Sequence, residues 1–305
     1  MSEHGSGTAL LKRLRASQPL NAVATSLLRG ALRATGLRSE WIVKHVHRMG
    51  PVSSRLPNGR LLQLWSRGDD WVSNQVFWRG WRGYEPETAP LFFRLAQRSS
   101  LTLDVGAYVG FYSLLAAHAN PEGRVLAFEP LPSAYERLTR HVVLNGLSNV
   151  ECVASAVGAE EGSGLLFHVP GAELPTSSSL SLEFMKASGD SESLSVPVVS
   201  LDRVLERKAL GPVGLIKIDT ESTEPDVLAS GRAMLARDRP WIVCEVLQGR
   251  GAEAGLEAVL RPLGYSFYLL TPEGPRLQPH VEGHALWLNY LLAPRPLEGD
   301  TAADA

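Results

Sequence analysis

The stretch "LTLDVGAYVGFYSLL", residues 101–115, decides the fold. Its first half is a short apolar run that ends in an acid, Asp104, and breaks at once into Gly106 and Gly110. Its second half spaces Phe111, Leu114 and Leu115 as one face of a helix. Strand, glycine turn and helix open a βαβ unit, and the chain continues it. "GRVLAFEP" (123–130) reads as a second strand, "PSAYERLTRHVVLNGL" (132–147) as a helix with Pro132 in its first turn and Gly146 as its stop, and "NVECVASAVG" (149–158) as a third strand. Strands alternating with helices predict a doubly wound, Rossmann-like α/β sheet with parallel strands and helices on both faces.

The same pattern resumes downstream. "VGLIKID" (213–219) and "PWIVCEV" (240–246) are buried parallel strands, whereas the Ser- and Gly-rich stretch 162–197 reads as added antiparallel strands and loops. "YSFYLL" (265–270) and "HALWLNYLLAP" (284–294) supply two late strands, expected as an antiparallel pair at one edge. Upstream, residues 1 to about 50 read as helical. "VSSRLPNGRLLQLWS" (52–66) reads as a hairpin turning at Asn58 and Gly59, and two short helices flank a break at Gly83 to Pro86. Trp71, Phe77, Trp78 and Trp81 crowd the first of these; packing of this lobe onto the main domain is preferred over a substrate pocket. The expected organisation is an N-terminal α+β extension (1–85, a substrate cap or dimer contact), the main domain (86–295) and a disordered tail (296–305).

Composition narrows the partners. With 30 basic and 32 acidic residues the formal charge is −2, so no global field favours nucleic acid. Lys12, Arg13, Arg15, Arg29, Arg33, Arg38, Lys44 and Arg48 face only Glu3 and Glu40 in the first fifty residues. A solvated helix face is the simpler reading, with weak contact to a membrane surface as its rival. No apolar run is long enough to span a bilayer; Arg29 breaks the best candidate, "LNAVATSLLRGAL". Cys152 and Cys244, each inside an apolar run, predict two reduced core thiols in a cytoplasmic protein.

The carboxylates carry the chemistry. Asp104 closes the first strand and points into the crevice where such sheets bind ligands. A dinucleotide fold asks for G-x-G-x-x-G; here the turn is D-x-G-x-x-x-G, with Tyr108 where the middle glycine would stand, a side chain that crowds out a pyrophosphate. Gly106 and Gly110 let the backbone turn tightly toward a ligand. An acid at this place suits a positively charged group such as the α-amino group of S-adenosylmethionine. Glu129, ending the second strand, is placed to accept from ribose hydroxyls. Asp219, Glu221 and Glu224 follow the fourth strand within one turn. They are candidates for a general base, with helix capping as the plain alternative. A metal-free mechanism is expected, because no second acidic pair stands ready to complete a shell; the nearest option is Glu245. His284 is a weaker catalytic candidate.

Taken together, "LDVGAYVGFYSLLAA", "GRVLAFEPLPSAYERLTRHVVLNGL", "SLDRVL", "IKIDTESTEPDVLASG" and "WIVCEV" resemble, in order, the FkbM-type family of class I S-adenosylmethionine-dependent methyltransferases. "RGYEPET" resembles the Tyr-Glu-Pro segment before the family's core, and "LNYLLAP" its last strand. The resemblance implies a seven-stranded sheet with the last strand inserted antiparallel, and methyl transfer to a hydroxyl of a sugar or secondary metabolite. It implies a cofactor set of Glu85, Asp104, Gly106, Tyr108, Gly110, Glu129, Ser155 and Ala156, with Asp219, Glu221 and Glu224 as catalytic candidates and no metal. The expected acceptor is a small molecule of sugar, glycolipid or polyketide type. One departure stands out: where the family commonly reads Asp-Val-Glu-Gly, this chain reads Asp219-Thr220-Glu221-Ser222. A noncatalytic adenosyl-binding member and a nicotinamide-dependent oxidoreductase are the competing readings. The second lacks its third glycine and an obvious proton donor.

Overall fold

The structure, a computed structural model, describes residues 17–37, 39–171, 174–175, 178–186 and 191–297. The chain divides into two compact units, residues 1–84 and 85–305.

Unit 1 begins with helices α1 (Gln18–Thr35) and α2 (Glu40–His45), then the antiparallel hairpin β1 (Met49–Arg55) and β2 (Leu61–Arg67), then α3 (Trp71–Arg79). The hairpin turns at Asn58 and Gly59, and Leu56 N and Arg60 O close it at 2.9 Å. Asp70 caps α3 by accepting from Ser73 N at 2.6 Å. The aromatic cluster packs inside this unit. Phe77 lies under the Arg29 and Arg48 guanidinium groups, 4.3 and 4.9 Å from its centroid, and Trp78 Nε1 donates to Val46 O. Trp71 is exposed.

Unit 2 runs α4 (Ala89–Ala96), β3 (Leu101–Val105), α5 (Phe111–Ala119), β4 (Arg124–Phe128), α6 (Pro132–Leu144), β5 (Val150–Val153), β6 (Ala156–Val157), β7 (Gly162–His168), β8 (Ser178–Ser179), α7 (Leu182–Lys186) and β9 (Glu192–Val199). It continues with α8 (Leu201–Arg207), β10 (Leu215–Ile218), α9 (Glu224–Ser230), α10 (Arg232–Asp238), β11 (Trp241–Glu245), α11 (Ala252–Leu260), β12 (Ser266–Thr271), β13 (Gly274–Gln278) and β14 (Asn289–Ala293). The main sheet has the order β13-β12-β14-β11-β10-β3-β4-β5. Strands β11, β10, β3, β4 and β5 pair in parallel, and β14 is inserted antiparallel between β11 and β12.

The expected seven strands are all present. An eighth, β13, is added at the edge as the return arm of a hairpin with β12, so the late pair is not itself the edge. Its sequence, "GPRLQ", carries neither alternation nor β-branching, as an exposed edge strand permits. The third predicted strand also divides. β5 ends at Val153, and Ala156–Val157 joins a second sheet, β6-β9-β7-β8, pairing parallel with β9. Because β5 is an outer strand it is half-buried throughout, and Cys152 is a partly exposed thiol, not a core one; Cys244 is fully buried, and both are free. Of the expected C-terminal tail, residues 298–305 lie outside the described residues, and Leu297 N donates to the Tyr268 hydroxyl at 3.1 Å.

Strand alternation then sorts the side chains by face. Leu103 and Val105 of β3, Ile216 and Ile218 of β10, Ile242 and Cys244 of β11, and Tyr290 and Leu292 of β14 enter one core with Val227, Leu228, Leu235 and Leu256 from α9–α11. The alternate positions on the same strands, Asp104, Lys217, Glu245 and Asn289, share the opposite face.

Candidate active site

Strand order reverses between β3 and β10, the place where a doubly wound sheet opens a crevice. There the turn after β3 and the chain leaving β10 touch. A Cβ on Gly106, whose φ is +81°, would sit 1.8 Å from the Asp219 carbonyl oxygen, so no other residue fits. Gly110, at φ +89°, faces a Leu138 side-chain methyl that a Cβ would meet at 2.5 Å. Tyr108 between them holds φ +49°, and its N–H donates to Glu129 Oε2 at 2.7 Å.

Glu129 therefore has a structural task that the sequence alone does not reveal. Its Oε1 accepts from Leu131 N at 2.8 Å, so one carboxylate ties the glycine turn to the start of α6. Burial pushes it up to about 7, against the pull of those two N–H groups. Asp104 is buried beside it. Burial raises its carboxyl to about 6, although it accepts from Ser113 Oγ on α5 at 2.5 Å and feels the Lys217 charge. An ionised carboxylate has about four acceptor positions, so each acid keeps free ones for a ligand. Ser155 and Ala156 stand at the carboxyl end of β5, where Ser155 N donates to Val153 O and the chain leaves for the second sheet.

The second half of the site is built around Lys217, which is 1% exposed. It lies directly across the ladder from Asp104, and its Nζ meets Asp219 Oδ2 at 3.1 Å. It also approaches the Tyr112 ring, 5.1 Å from the centroid. Burial would lower the ammonium's pKa, but the charges of Asp219, Glu85 and Glu245 outweigh it and hold the group protonated. Glu85, held at φ +44°, accepts from the Tyr112 hydroxyl at 2.5 Å and from Asn289 Nδ2 at 3.0 Å. The structure thus brings Glu85 to Lys217 and Asn289, while Glu129 clasps the turn. Glu245 pairs across strands with Asn289; burial and then the neighbouring Asp219 and Glu221 hold its carboxyl well above the usual range. Asn289 Oδ1 is buried with no hydrogen-bond partner.

The three acids after β10 do different things. Asp219 is the one held on Lys217, with its side chain 26% exposed. Glu221 sits at φ +54°, and its carbonyl accepts from Ser179 Oγ at 2.6 Å. Glu224 is buried, and its Oε1 accepts from Thr220 N, Thr220 Oγ1 and Ser222 N at 3.2, 3.1 and 3.0 Å. It holds the turn closed, as a capping acid does, which takes its Oε1 out of any proton transfer. Ser222 occupies the place where the resembling family has glycine, at φ +82°, with its hydroxyl buried and unpaired. His284 Nδ1 accepts from Leu286 N and Trp287 N, and its ring stacks on Trp287; it builds a turn. Among the described residues no group of three or more His, Cys, Asp or Glu is arranged to hold a metal ion.

Sequence reading overlooked Lys217, Tyr112 and Asn289. The signal for Lys217 was present: one cation inside the buried run "LIKI" cannot stay there without carboxylates to meet it.

Comparison with known proteins gives these findings. A family model for the methyltransferase FkbM domain matches residues 104–267. Methyltransferase 1 of Beauveria bassiana (strain ARSEF 2860) is 26% identical over 194 residues, which is 57% of this chain and 75% of that protein. The 31-O-demethyl-FK506 methyltransferase FkbM of Streptomyces tacrolimicus is 25% identical over 251 residues, 72% of this chain and 90% of that protein. Among solved structures, methyltransferase FkbM from Methylobacillus flagellatus KT superimposes over 72% of this chain and 53% of its own, with a TM-score of 0.42 and 16% identity; the chain thus spans about half of that one.

Proposed function

Because this chain belongs to the methyltransferase FkbM domain family, we propose that it transfers the methyl group of S-adenosylmethionine to a hydroxyl oxygen of a small molecule of the sugar or secondary-metabolite type. The observation that carries this reading is the charge of the crevice. Glu85, Asp104, Glu129, Asp219 and Glu245 converge there around one ammonium, Lys217, a set that calls for a cationic ligand. The turn also suits an adenosyl cofactor better than a dinucleotide: Gly106 lets it pack against the Asp219 carbonyl, and Tyr108 stands where a diphosphate-binding turn has glycine.

When bound, the cofactor supplies an electrophilic methyl group on a sulfonium. Everything else falls to this chain's residues. Glu129 offers its remaining acceptor positions to the ribose hydroxyls, and Asp104 meets the α-ammonium group. An alcohol is a weak nucleophile at neutral pH, so its proton must leave as the oxygen attacks. Asp219 is the acceptor for that proton: Lys217 fixes its Oδ2, and its side chain is 26% exposed. Asn289 Oδ1 offers an unused acceptor to orient a polar substrate. The relative named for a 31-O-demethyl acceptor supports oxygen as the methylated atom.

Methyl transfer with labelled cofactor against a panel of hydroxylated glycosides and polyketides, read by mass, tests the reading. Activity is expected to survive EDTA, because Lys217 already fills the cation's place among the acids. It is expected to fall in Asp219→Asn. Loss on chelation with rescue by Mg²⁺, or full activity in Asp219→Asn, would overturn the mechanism.

A further inference from the structure

Most acids of the crevice hold a donor of their own. Glu85 accepts from the Tyr112 hydroxyl and Asn289 Nδ2, Asp104 from Ser113 Oγ, Glu129 from Tyr108 N and Leu131 N, and Glu224 from its own turn, while Asp219 is paired with Lys217. Glu245, at the carboxyl end of β11, is the exception. It is partly buried, and among the described residues its carboxyl accepts no hydrogen bond and joins no ion pair. Burial, then the charges of Asp219 and Glu221, push that carboxyl up to about 10, and the attraction of Lys217, whose Nζ is on Asp219, does not offset them.

Its partner across the ladder is Asn289. Val246 N donates to Leu288 O at 2.7 Å, so the adjoining pair, Glu245 and Asn289, is of the kind without mutual backbone bonds, with Cα atoms about 4.5 Å apart and side chains at their closest. Both side chains stand on the face that carries Asp104 and Lys217. Asn289 is 7% exposed; its Nδ2 is committed to Glu85 Oε2, and its Oδ1 is buried with no donor. A buried amide oxygen left without a donor weakens a fold unless a ligand meets it. Here two acceptor groups lie side by side in an acidic field. Their complement is a cation with several N–H bonds, which a protonated primary amine supplies; a neutral hydroxyl brings a single donor and leaves the field unbalanced.

Strand order gives that amine to the acceptor and not to the cofactor. Asp104, set against the cofactor's ammonium in the proposed function, is on β3; β11 lies two strands away and β14 three, roughly 10 and 14 Å at ordinary strand spacing. Asp219 leaves β10, the strand between β3 and β11. An amine on Glu245 therefore stands beyond Asp219 as seen from the cofactor, about one strand spacing from the proposed base, a gap that a few bonds of an amino alcohol span. We propose that the acceptor is an aminated alcohol of the amino-sugar kind, whose protonated amine is held by Glu245 and Asn289 while a nearby hydroxyl meets Asp219. The proposal rests on the methyl-transfer reading for the hydroxyl, and it adds the group by which the acceptor is recognised.

The test is a titration of the full chain loaded with S-adenosylhomocysteine, followed by ligand NMR at neutral pH. The probes are the methyl glycosides of glucosamine and kanosamine beside methyl glucoside, and trans-aminocyclohexanol beside trans-cyclohexanediol, so that each amine has a twin with a hydroxyl in its place. At least one amine is expected to bind about tenfold more tightly than its twin, and the preference should vanish in Glu245→Gln. Loading is measured first: a protein that takes up no S-adenosylhomocysteine refutes the methyltransferase reading, and the same titration of the unloaded chain then still judges the pair. Equal binding of amines and twins, no binding of any probe, or a preference that folded Glu245→Gln keeps overturns the proposal. So does weaker S-adenosylhomocysteine binding in that variant, which would give the pair to the cofactor's own ammonium, or Mg²⁺ uptake that the variant loses, which would make it a metal site. Glutamine has the shape of the protonated acid; if melting curves nevertheless show the variant unfolded, the wild-type comparison of amines with their twins decides.

Discussion

Raising the pH from 5.5 to 7.5 should tighten adenosyl cofactor binding by about two orders of magnitude. Glu129 and Asp104 are buried acids whose carboxyls titrate at about 7 and about 6 in the free protein. In the proposed cofactor site they would serve a ribose and an ammonium group best when ionised. At pH 5.5 the two are ionised in about one molecule in thirty and one in four, and at pH 7.5 in about three-quarters and nearly all; apparent affinity scales with the competent fraction, giving roughly 25-fold from Glu129 and fourfold from Asp104. Binding at pH 6 must also release protons. Calorimetry with S-adenosylhomocysteine in two buffers of different ionisation enthalpy measures both quantities. Asp104→Asn keeps an acceptor for Ser113 Oγ and should remove its fourfold share. The unliganded protein should show the opposite trend. A carboxyl raised on folding stabilises the native state most below its unfolded pKa, so stability declines as pH rises from about 4.5 to 7, by about 3 kcal/mol for Glu129 alone. Affinity that is flat across this range with no proton release would refute the assignment of both acids.

Three further outcomes test the framework. Lys217→Met should cost about 3–5 kcal/mol in urea unfolding, because it leaves Asp219, Glu85 and Glu245 without their cation, and the loss should shrink on acidification; a neutral effect would mean that the acids are solvated. Ser222→Gly should stabilise the protein by about 1 kcal/mol, since it relieves φ +82° and removes a buried unpaired hydroxyl; no gain would show the turn to be unstrained. Gly106→Ala should abolish cofactor binding in calorimetry, as a methyl at 1.8 Å from Asp219 O forces β3 and β10 apart at the crevice; retained affinity would dissociate the site from this turn.

How much of this could be read from the sequence follows from what each signal depends on. Alternation of apolar strands and helices is local, so the parallel core was legible, as were Asp104 and Glu129 at their strand ends, whereas the insertion of β14 between β11 and β12 came from the family resemblance and not from the local pattern. The edge strand β13 was not, because an exposed edge imposes no pattern. Nor was the departure of Ala156 into a second sheet, which depends on pairing with Val198, 42 positions along the chain. The acids at 219, 221 and 224 looked alike in sequence, since composition cannot say which backbone amides a carboxylate will reach. Three donors on one oxygen of Glu224 separate it from Asp219.

The replacement of the family's glycine by Ser222 shows why that distinction bears on chemistry. A β-carbon at φ +82° is unfavourable, and the neighbouring Glu221 at φ +54° adds a second left-handed residue, so the turn cannot persist on backbone preference alone. Glu224 Oε1 on Thr220 N and Ser222 N, and Ser179 Oγ on Glu221 O, hold it from both sides. The chain leaving β10 is thereby fixed where the Asp219 carbonyl meets Gly106 and its carboxylate meets Lys217. A base that must receive a proton at the moment of attack gains from such fixity, because an error of about 1 Å in its position costs on the order of a hundredfold in rate. If Asp219 is the base we propose, the strained turn and the buried lysine are two supports of its carboxylate, and weakening either should lower the rate of transfer before it lowers affinity for the cofactor.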